Sequence, residues 1–475
     1  MRMTSRPEHL LIEHLGAQLV TVGEEIPERA RHDWSGQQPV CPLAWIRPRS
    51  TEEVSAVLRI CNELRLAVVP QGGLTGLAGG AHPVAGCVAL SLERMNGIEE
   101  IDPAMATMTV GAGVVLEAAQ AAAEAAGLFL ALDLGARGSC TIGGVLATNA
   151  GGNRVIRYGM AREHVLGVEV VLADGTVVTS LNKMLKNNAG YDSKQLFVGS
   201  EGTLGVITRA VLRLQPRPTF STCALCGCRD FAAAMALLAA ARSGLGPSLT
   251  AFEVMWPSFY HFMGEKLPSL PQPLAGRHGI YVLIEVSGFD AEREAERLEA
   301  LLAKGLEAGD VEDAVVAASG RDVAAFWAIR ESVSEYSKVI GKVAAFDVGL
   351  PAHATGQVVE RLEAGAVQRW PDAIALSYGH VGDSNLHFVA NVPSAGAEQP
   401  SAEISAFVYE TVRSSGGTIS AEHGIGTLKR QYLPYTRSPS ELDLMRRIKS
   451  ALDPNGILNP GKVLEWPPEP EAGTR

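Results

Sequence analysis

Polar and apolar positions along the chain change period several times, and each change marks an element. Ser50 and Glu53 form a capping-box pair, and VSAVLRICNELRL after them repeats its apolar positions at helical spacing. LAVVP at 66–70 then predicts a strand stopped by Pro70. MTVGAGVVLEAAQAAAEAAG at 108–127 predicts a strand followed by a helix, and VLGVEVVLADGTVV predicts a hairpin turning at Asp174–Gly175. SEGTLGVITRAVLRLQP at 200–216 closes this region before PRP at 216–218. Beyond it, strands such as YVLIEVSG (281–288) and DAVVAAS (313–319) alternate with polar helices such as EREAERLEALLAKGLEAG. A long helix is predicted over 324–341, then the strand VAAFDVGLP, a helix, the tight hairpin SYGHVGDSNLHF and a last helix, LDLMRRIKSALDP. The second region therefore reads as an α+β sheet domain with helices on one face.

A chain of 475 residues is too long for one core, and two or three domains of roughly 150 residues are expected. Its 47% hydrophobic and 20% charged residues suit a globular enzyme. A net charge of −11 and a pI of about 5.6 argue against nucleic acid as a partner. No apolar run reaches the length of a bilayer span. Glu8, His9, Glu13 and His14 interrupt the N-terminal apolar stretch, which reads as an amphipathic helix and not as a signal peptide. Seven scattered cysteines suggest reduced thiols and a cytoplasmic location. Cys223, Cys226 and Cys228 lie in a segment that alternates like a strand and lacks a fourth ligand, so they read as buried strand thiols. The Pro- and Glu-rich last ten or so residues are expected to be disordered.

Three glycine-rich loops, at 71–81, 135–144 and 150–152, lie in the first region. Any one suits a plain turn. Three in one domain point to a large phosphate-bearing ligand, because backbone amides without Cβ atoms can approach it closely. Gly111-Ala112-Gly113 imitates a dinucleotide fingerprint with Asp133 about 20 residues on, but Leu116 stands where the third glycine belongs. His380 and His387 fall on the tight hairpin. If 382–385 form its turn, the two are direct partners with Cβ atoms ~5 Å apart, close enough to share a metal ion. SAEHGIG at 420–426 adds a carboxylate and a third imidazole. From the residues alone, the histidines are either ligands of a redox or hydrolytic metal site or two hydrogen-bonded hairpin side chains.

PQGGLTGLAGGA, the GSCTIGGVLATNAGGNRVIRYG block, SEGTLGVIT, GHVGDSNLH, SAEHGIGTLK and LNPGKVL occur in this order. Together they resemble the flavin-dependent 2-hydroxyacid dehydrogenases of the vanillyl-alcohol oxidase superfamily. That group includes D-lactate, D-2-hydroxyglutarate and D-mandelate dehydrogenases and the catalytic subunit of glycolate oxidase. The likeness covers nearly the whole chain and is specific for family, not for substrate. It implies an α+β fold: a two-lobed PCMH-type FAD-binding domain at 1–218, a cap domain at 219–450 with an antiparallel sheet, helices and the metal site, and a C-terminal segment at 451–475 returning to the flavin. Carried onto this sequence, Gly72, Gly73, Thr75 and Gly76 hold the pyrophosphate. Thr141, Gly143, Gly144, Thr148 and Gly151 line the ring and ribityl chain. Glu201, Gly205 and Ile207 lie near the adenine, and Asn459 touches the isoalloxazine. Some relatives attach flavin through a histidine in the first loop. Leu74 and Thr75 stand there instead, so FAD is expected to be non-covalent.

Oxidising a 2-hydroxy acid removes a proton from oxygen and a hydride from Cα, and FAD accepts the hydride. The resemblance implies that His380, His387 and Glu422 bind a divalent metal that acidifies the hydroxyl; Zn²⁺ is expected, although Mn²⁺ or Fe²⁺ would suit the same ligands. It also implies His423 as the base, Arg330 as a bidentate carboxylate clamp and Ser334, one helical turn on, as a second donor. By itself Arg330 reads as a surface ion pair. Glu422 and His423 can serve one site only if the backbone is irregular, which Gly424 and Gly426 suggest. The 2-hydroxyglutarate enzymes carry a lysine and a polar residue where this chain has Ala345 and Val389, and Lys342 is three residues out of register. A pocket without that cation should reject a dicarboxylate. The expected substrate is therefore a D-2-hydroxy monocarboxylate with an apolar side chain, such as lactate or an aromatic hydroxy acid. Alternatives are D-2-hydroxyglutarate itself, a flavoprotein subunit of a glycolate-oxidase-like complex, and a metallohydrolase. The resemblance allows a homodimer, and leaves the electron acceptor among quinones, electron-transfer flavoproteins and cytochromes.

Overall fold

A computed structural model describes residues 6–465. The tail expected to be disordered lies beyond them. The chain divides into two compact units. One comprises the chain up to Gly151, Met160–Arg217 and everything from Glu422; the other comprises Gly152–Gly159 and Pro218–Ala421. The chain re-enters the first unit at Glu422.

The first unit holds two sheets. In the four-stranded one, Ala44–Ile46, Val88–Ser91 and Val68–Gln71 run parallel, with Val20–Val22 antiparallel at one edge. The helix Thr51–Leu64 covers it, burying Val54, Val57, Leu58 and Cys61. Ser50 caps this helix by accepting the Glu53 amide at 3.3 Å, while the Glu53 carboxylate accepts from the Arg49 amide, so the predicted box is half formed. The second sheet is antiparallel and orders Ile98–Asp102, Thr107–Gly111, Val206–Arg213, Val165–Val171 and Val177–Ser180. The hairpin at Asp174–Gly175 is present, with Gly175 at φ +85° and the Asp174 carboxylate accepting the Thr176 amide. Each sheet has its own buried cluster, in which every fully buried Val, Leu or Ile contributes ~1.5–3 kcal/mol. Gly111 and Gly113 pack against the backbone carbonyls of Met95 and Leu92, so close approach within the core, not a phosphate, explains the imitation fingerprint.

The returning segment completes the parallel sheet. The Val68 amide donates to the Ile457 carbonyl and the Asn459 amide to the Val68 carbonyl, both at 2.7 Å. Buried Lys449 donates to Asp453, to the Thr203 carbonyl (2.7 Å) and to the Leu458 carbonyl (2.8 Å), so its charge is paired inside the unit.

The second unit is a seven-stranded antiparallel sheet. Its order is Val311–Val316, Phe220–Cys228, Ile280–Gly288, Leu249–Met255, Ile374–Gly379, Asn385–Asn391 and Ala344–Gly349. Leu249–Met255 and Ile280–Gly288 are buried at every position, so both faces are covered, not one as the pattern suggests. Cys223, Cys226 and Cys228 are buried strand thiols, and burial pushes Cys223 and Cys228 up to about 12. The long helix predicted over 324–341 is broken. Gly320–Glu331 is α-helical, Ser332–Glu335 is a 3₁₀ turn and Tyr336–Val339 a further short helix. The Ser332 and Ser334 hydroxyls donate back to the Ile329 and Glu331 carbonyls, which competes with helix propagation.

Candidate functional site

In the first unit the predicted cofactor residues converge through contacts between their loops. After the strand Val68–Gln71 the chain passes so close to 139–141 that a Cβ on Gly73 would overlap the Ser139 carbonyl, and one on Gly72 would crowd Thr141 Oγ1. Gly76 faces open space. Asn459 Nδ2 donates to the Gly80 carbonyl (2.9 Å) and to the Glu201 carbonyl (2.7 Å), joining the first loop to the SEG motif and the C-terminal segment. Among the described residues, Thr141 Oγ1, Asn459 Oδ1 and His82 Nδ1 are buried without a hydrogen-bond partner. They are three of fourteen such side-chain atoms among the described residues, and each is available to a polar ligand. Leu74, Asn149, Glu201 and Asn459 all adopt positive φ, a cost normally borne only where a site needs it.

Other members of the predicted set are committed to the protein itself. The Thr148 hydroxyl donates to the Gly144 carbonyl, Gly205 lies against Val170 and Phe197, and Ile207 is in the core of the antiparallel lobe. The Glu201 carboxylate accepts the amides of Ile425 (2.7 Å) and Gly426 (2.8 Å). Burial pushes its pKa up, against the two amides that favour its charge. Glu422 and His423 precede this contact in a bent stretch with no strand, where Gly424 and Gly426 take φ +75° and +50°. The irregular backbone that two adjacent functional side chains require is therefore present.

In the second unit, His380 and His387 lie near one another on the hairpin, but not in the expected register. The turn is a 3₁₀ segment, Val381–Asp383, followed by Ser384 at φ +73°, and it pairs Tyr378 with His387. The Asn385 amide donates to the His380 carbonyl at 3.1 Å. The two imidazoles are diagonal neighbours on one face, with ring centroids 5.3 Å apart, and His387 stacks on Tyr378. Both are buried.

Glu253, which pattern reading passes over, organises this cluster. It is 1% exposed on Leu249–Met255. Its Oε1 lies 2.6 Å from His380 Nδ1, and its Oε2 accepts from Arg330 Nε at 2.8 Å. Burial raises its pKa, but the charges of His380 and Arg330 prevail and hold it below the usual carboxylate range. A charged residue in the otherwise apolar run LTAFEVM is the signal that finds it, because a buried charge must be paired.

Arg330 is buried and not at the surface, with its guanidinium 4.5 Å over the Tyr378 ring and Nη2 3.3 Å from His380 Nε2. Ser334 lies beyond the end of the Arg330 helix, exposed, with its hydroxyl spent on the Glu331 carbonyl.

Residues 217–463 match the model for FAD linked oxidases, C-terminal domain, and residues 42–180 match the FAD binding domain. The chain belongs to the FAD-linked oxidase family. It is 42% identical over 452 residues to a probable D-2-hydroxyglutarate dehydrogenase, mitochondrial, of Oryza sativa subsp. indica, covering 95% of this chain and 80% of the relative. It is 41% identical over 458 residues to D-2-hydroxyglutarate dehydrogenase, mitochondrial, of Bos taurus, covering 94% and 81%. A solved p-cresol methylhydroxylase with bound substrate superposes with TM-score 0.77 at 17% identity, covering 97% of this chain and 96% of that one, a likeness of fold. The α+β, PCMH-type architecture and the FAD-dependent oxidoreductase class follow from these matches. The hydrolase alternative falls with them. The cytoplasmic location is overturned by relatives named as mitochondrial. Free thiols report reducing surroundings without saying which compartment supplies them. No helix among the described residues is long and apolar enough to cross a membrane.

Proposed function

We propose that this FAD-linked oxidase family member oxidises a D-2-hydroxy acid to the 2-oxo acid with the help of a divalent metal. One observation carries the metal reading: Glu253 holds His380 Nδ1, which leaves Nε2 as the ligand atom. A carboxylate behind a histidine is the usual support of a metal ligand. His387 offers a second imidazole on the same face, and Glu422, the residue after the end of the second unit, supplies the carboxylate. Two imidazoles and one carboxylate suit Zn²⁺ with a position left for substrate. Arg330 Nη2 lies 3.3 Å from the same His380 Nε2, so a metal held there would release that guanidinium N–H, which could then donate to an anionic substrate.

When bound, FAD supplies the hydride acceptor and the metal lowers the hydroxyl pKa. The protein's own groups do the rest. Arg330 orients the carboxylate, and the bent 422–424 backbone lets His423 take the hydroxyl proton while Glu422 binds the metal. Thr141, Asn459 and the loop at 72–76 hold the flavin without a covalent bond.

The relatives' substrate supports D-2-hydroxyglutarate as the first candidate. A second reading, a monocarboxylate with an apolar side chain, is favoured by a cross-strand pair. Ala345 lies directly opposite Val389, on the same face as His387 and two pairs along from it. Neither residue can pair a distal carboxylate. Anaerobic flavin bleaching by D-2-hydroxyglutarate, D-lactate and D-mandelate, each with and without chelator, tests both readings. Bleaching that survives metal removal overturns the metal role, and the ratio of kcat/KM values decides the substrate.

A further inference from the structure

The glycines of the 422–426 loop build a concavity of converging amides. Gly424 and Gly426 are left-handed, and the Ile425 and Gly426 N–H groups point to one spot. Successive amides arranged this way bind anions. The anion here belongs to the protein. Glu201, 8% exposed and itself at φ +52°, places one carboxylate oxygen on each amide. Its backbone is fixed on both sides: its amide donates to the Ala147 carbonyl at 2.8 Å, and its carbonyl accepts from Asn459 Nδ2. The stretch beyond the concavity is anchored as well. Thr427 and Leu428 donate to the Ala78 carbonyl at 3.0 and 3.2 Å, and Val463 donates to the Gly426 carbonyl at 3.0 Å.

We propose that Glu201 is a positioning residue for the Glu422–His423 pair rather than a residue that binds the adenine. The inference rests on the metal-ligand and base roles given above to those two residues. Adjacent side chains reach one site only where the backbone is bent, and the bend that directly follows this pair, at Gly424–Gly426, holds two neighbouring N–H groups convergent. Without an anion they would repel one another and the chain would relax toward an extended form, turning Glu422 and His423 to opposite sides. A glutamine at 201 can accept from one amide but presents N–H to the other.

The test compares Glu201→Gln, Gly424→Ala and Glu422→Gln with the parent holoenzyme. Two quantities are read: flavin per chain from absorbance, and Zn²⁺ affinity by competition with a chromogenic chelator. In Gly424→Ala the new Cβ sits 2.8 Å from Glu201 Oε1 and must displace the carboxylate, so this variant tests the same contact if Glu201→Gln is insoluble. Expected are full flavin content and at least tenfold weaker Zn²⁺ binding in both loop variants, with faster hydrogen exchange at Ile425 and Gly426. Lost flavin with unchanged Zn²⁺ affinity, or no change in either, overturns the proposal. Unchanged Zn²⁺ affinity in Glu422→Gln overturns the metal reading instead. A loss confined to Glu422→Gln leaves the metal in place and removes only the role of Glu201.

Discussion

Glu253 bridges His380 and Arg330, with one carboxylate oxygen 2.6 Å from the imidazole Nδ1 and the other 2.8 Å from the guanidinium Nε. Glu253→Gln keeps the shape but removes the charge that sits between the His380 imidazole and the Arg330 guanidinium. Metal affinity should fall by about 10–100-fold, as losses behind a metal-bound histidine do. Stability should fall by ~3–5 kcal/mol, because Arg330 is left buried without its counter-charge. Metal titration and denaturant melts read the two effects, and unchanged metal affinity would remove Glu253 from the site.

Lys462 gives the stability a pH dependence. It is 2% exposed, donates to the His82 carbonyl at 2.8 Å, and burial depresses its pKa to about 8. The unfolded chain keeps that proton to about pH 10.4. Between these values the unfolded state binds more protons, so stability rises with pH across this window, and the cost of the buried charge is fully felt below it. Lys462→Met should flatten this rise and add about 2 kcal/mol at pH 7, the relieved charge burial less one hydrogen bond. Melts at pH 7 to 10.5 check it; parallel curves for the two proteins contradict it.

Gly73→Ala forces a Cβ onto the Ser139 backbone carbonyl. Overpacking against backbone costs on the order of 1–3 kcal/mol, and here it should also open the contact between the first two cofactor loops. The purified variant should carry less FAD per chain. Gly97→Ala, with nothing within 4 Å of the new Cβ, should retain its FAD and serves as control.

Ala345→Lys combined with Val389→Asn places a cation and an amide on the Ala345–Val389 pair. If the distal end of the substrate lies there, the kcat/KM ratio of D-2-hydroxyglutarate to D-lactate should rise at least tenfold, since a site built to pair the distal carboxylate discriminates strongly. An unmoved ratio places the distal end of the substrate elsewhere.

Much of the fold is legible in the pattern because it rests on periodicity. The Asp174–Gly175 hairpin follows from apolar strands around an Asp-Gly turn, and the buried cysteines of Phe220–Cys228 from alternation. The His380 register does not, because a non-glycine residue, Ser384, takes the left-handed position and shifts the pairing by two. The break after Glu331 is likewise hidden, since serines that bond back to the helix look like ordinary helix surface. Glu253 is legible only as an anomaly, and its partners come from elements distant in the chain.

The bonds between Val68 and the Ile457–Asn459 segment join an early strand to residues made almost a whole chain later. At ordinary rates of synthesis the ribosome takes on the order of tens of seconds to cover that interval. Through all of it the parallel sheet has an unfilled edge, and the nascent flavin lobe is unfinished while the other unit can already collapse. A nonsense codon in the last tenth of the message would therefore yield a chain whose front half, although fully translated, has nothing to close it.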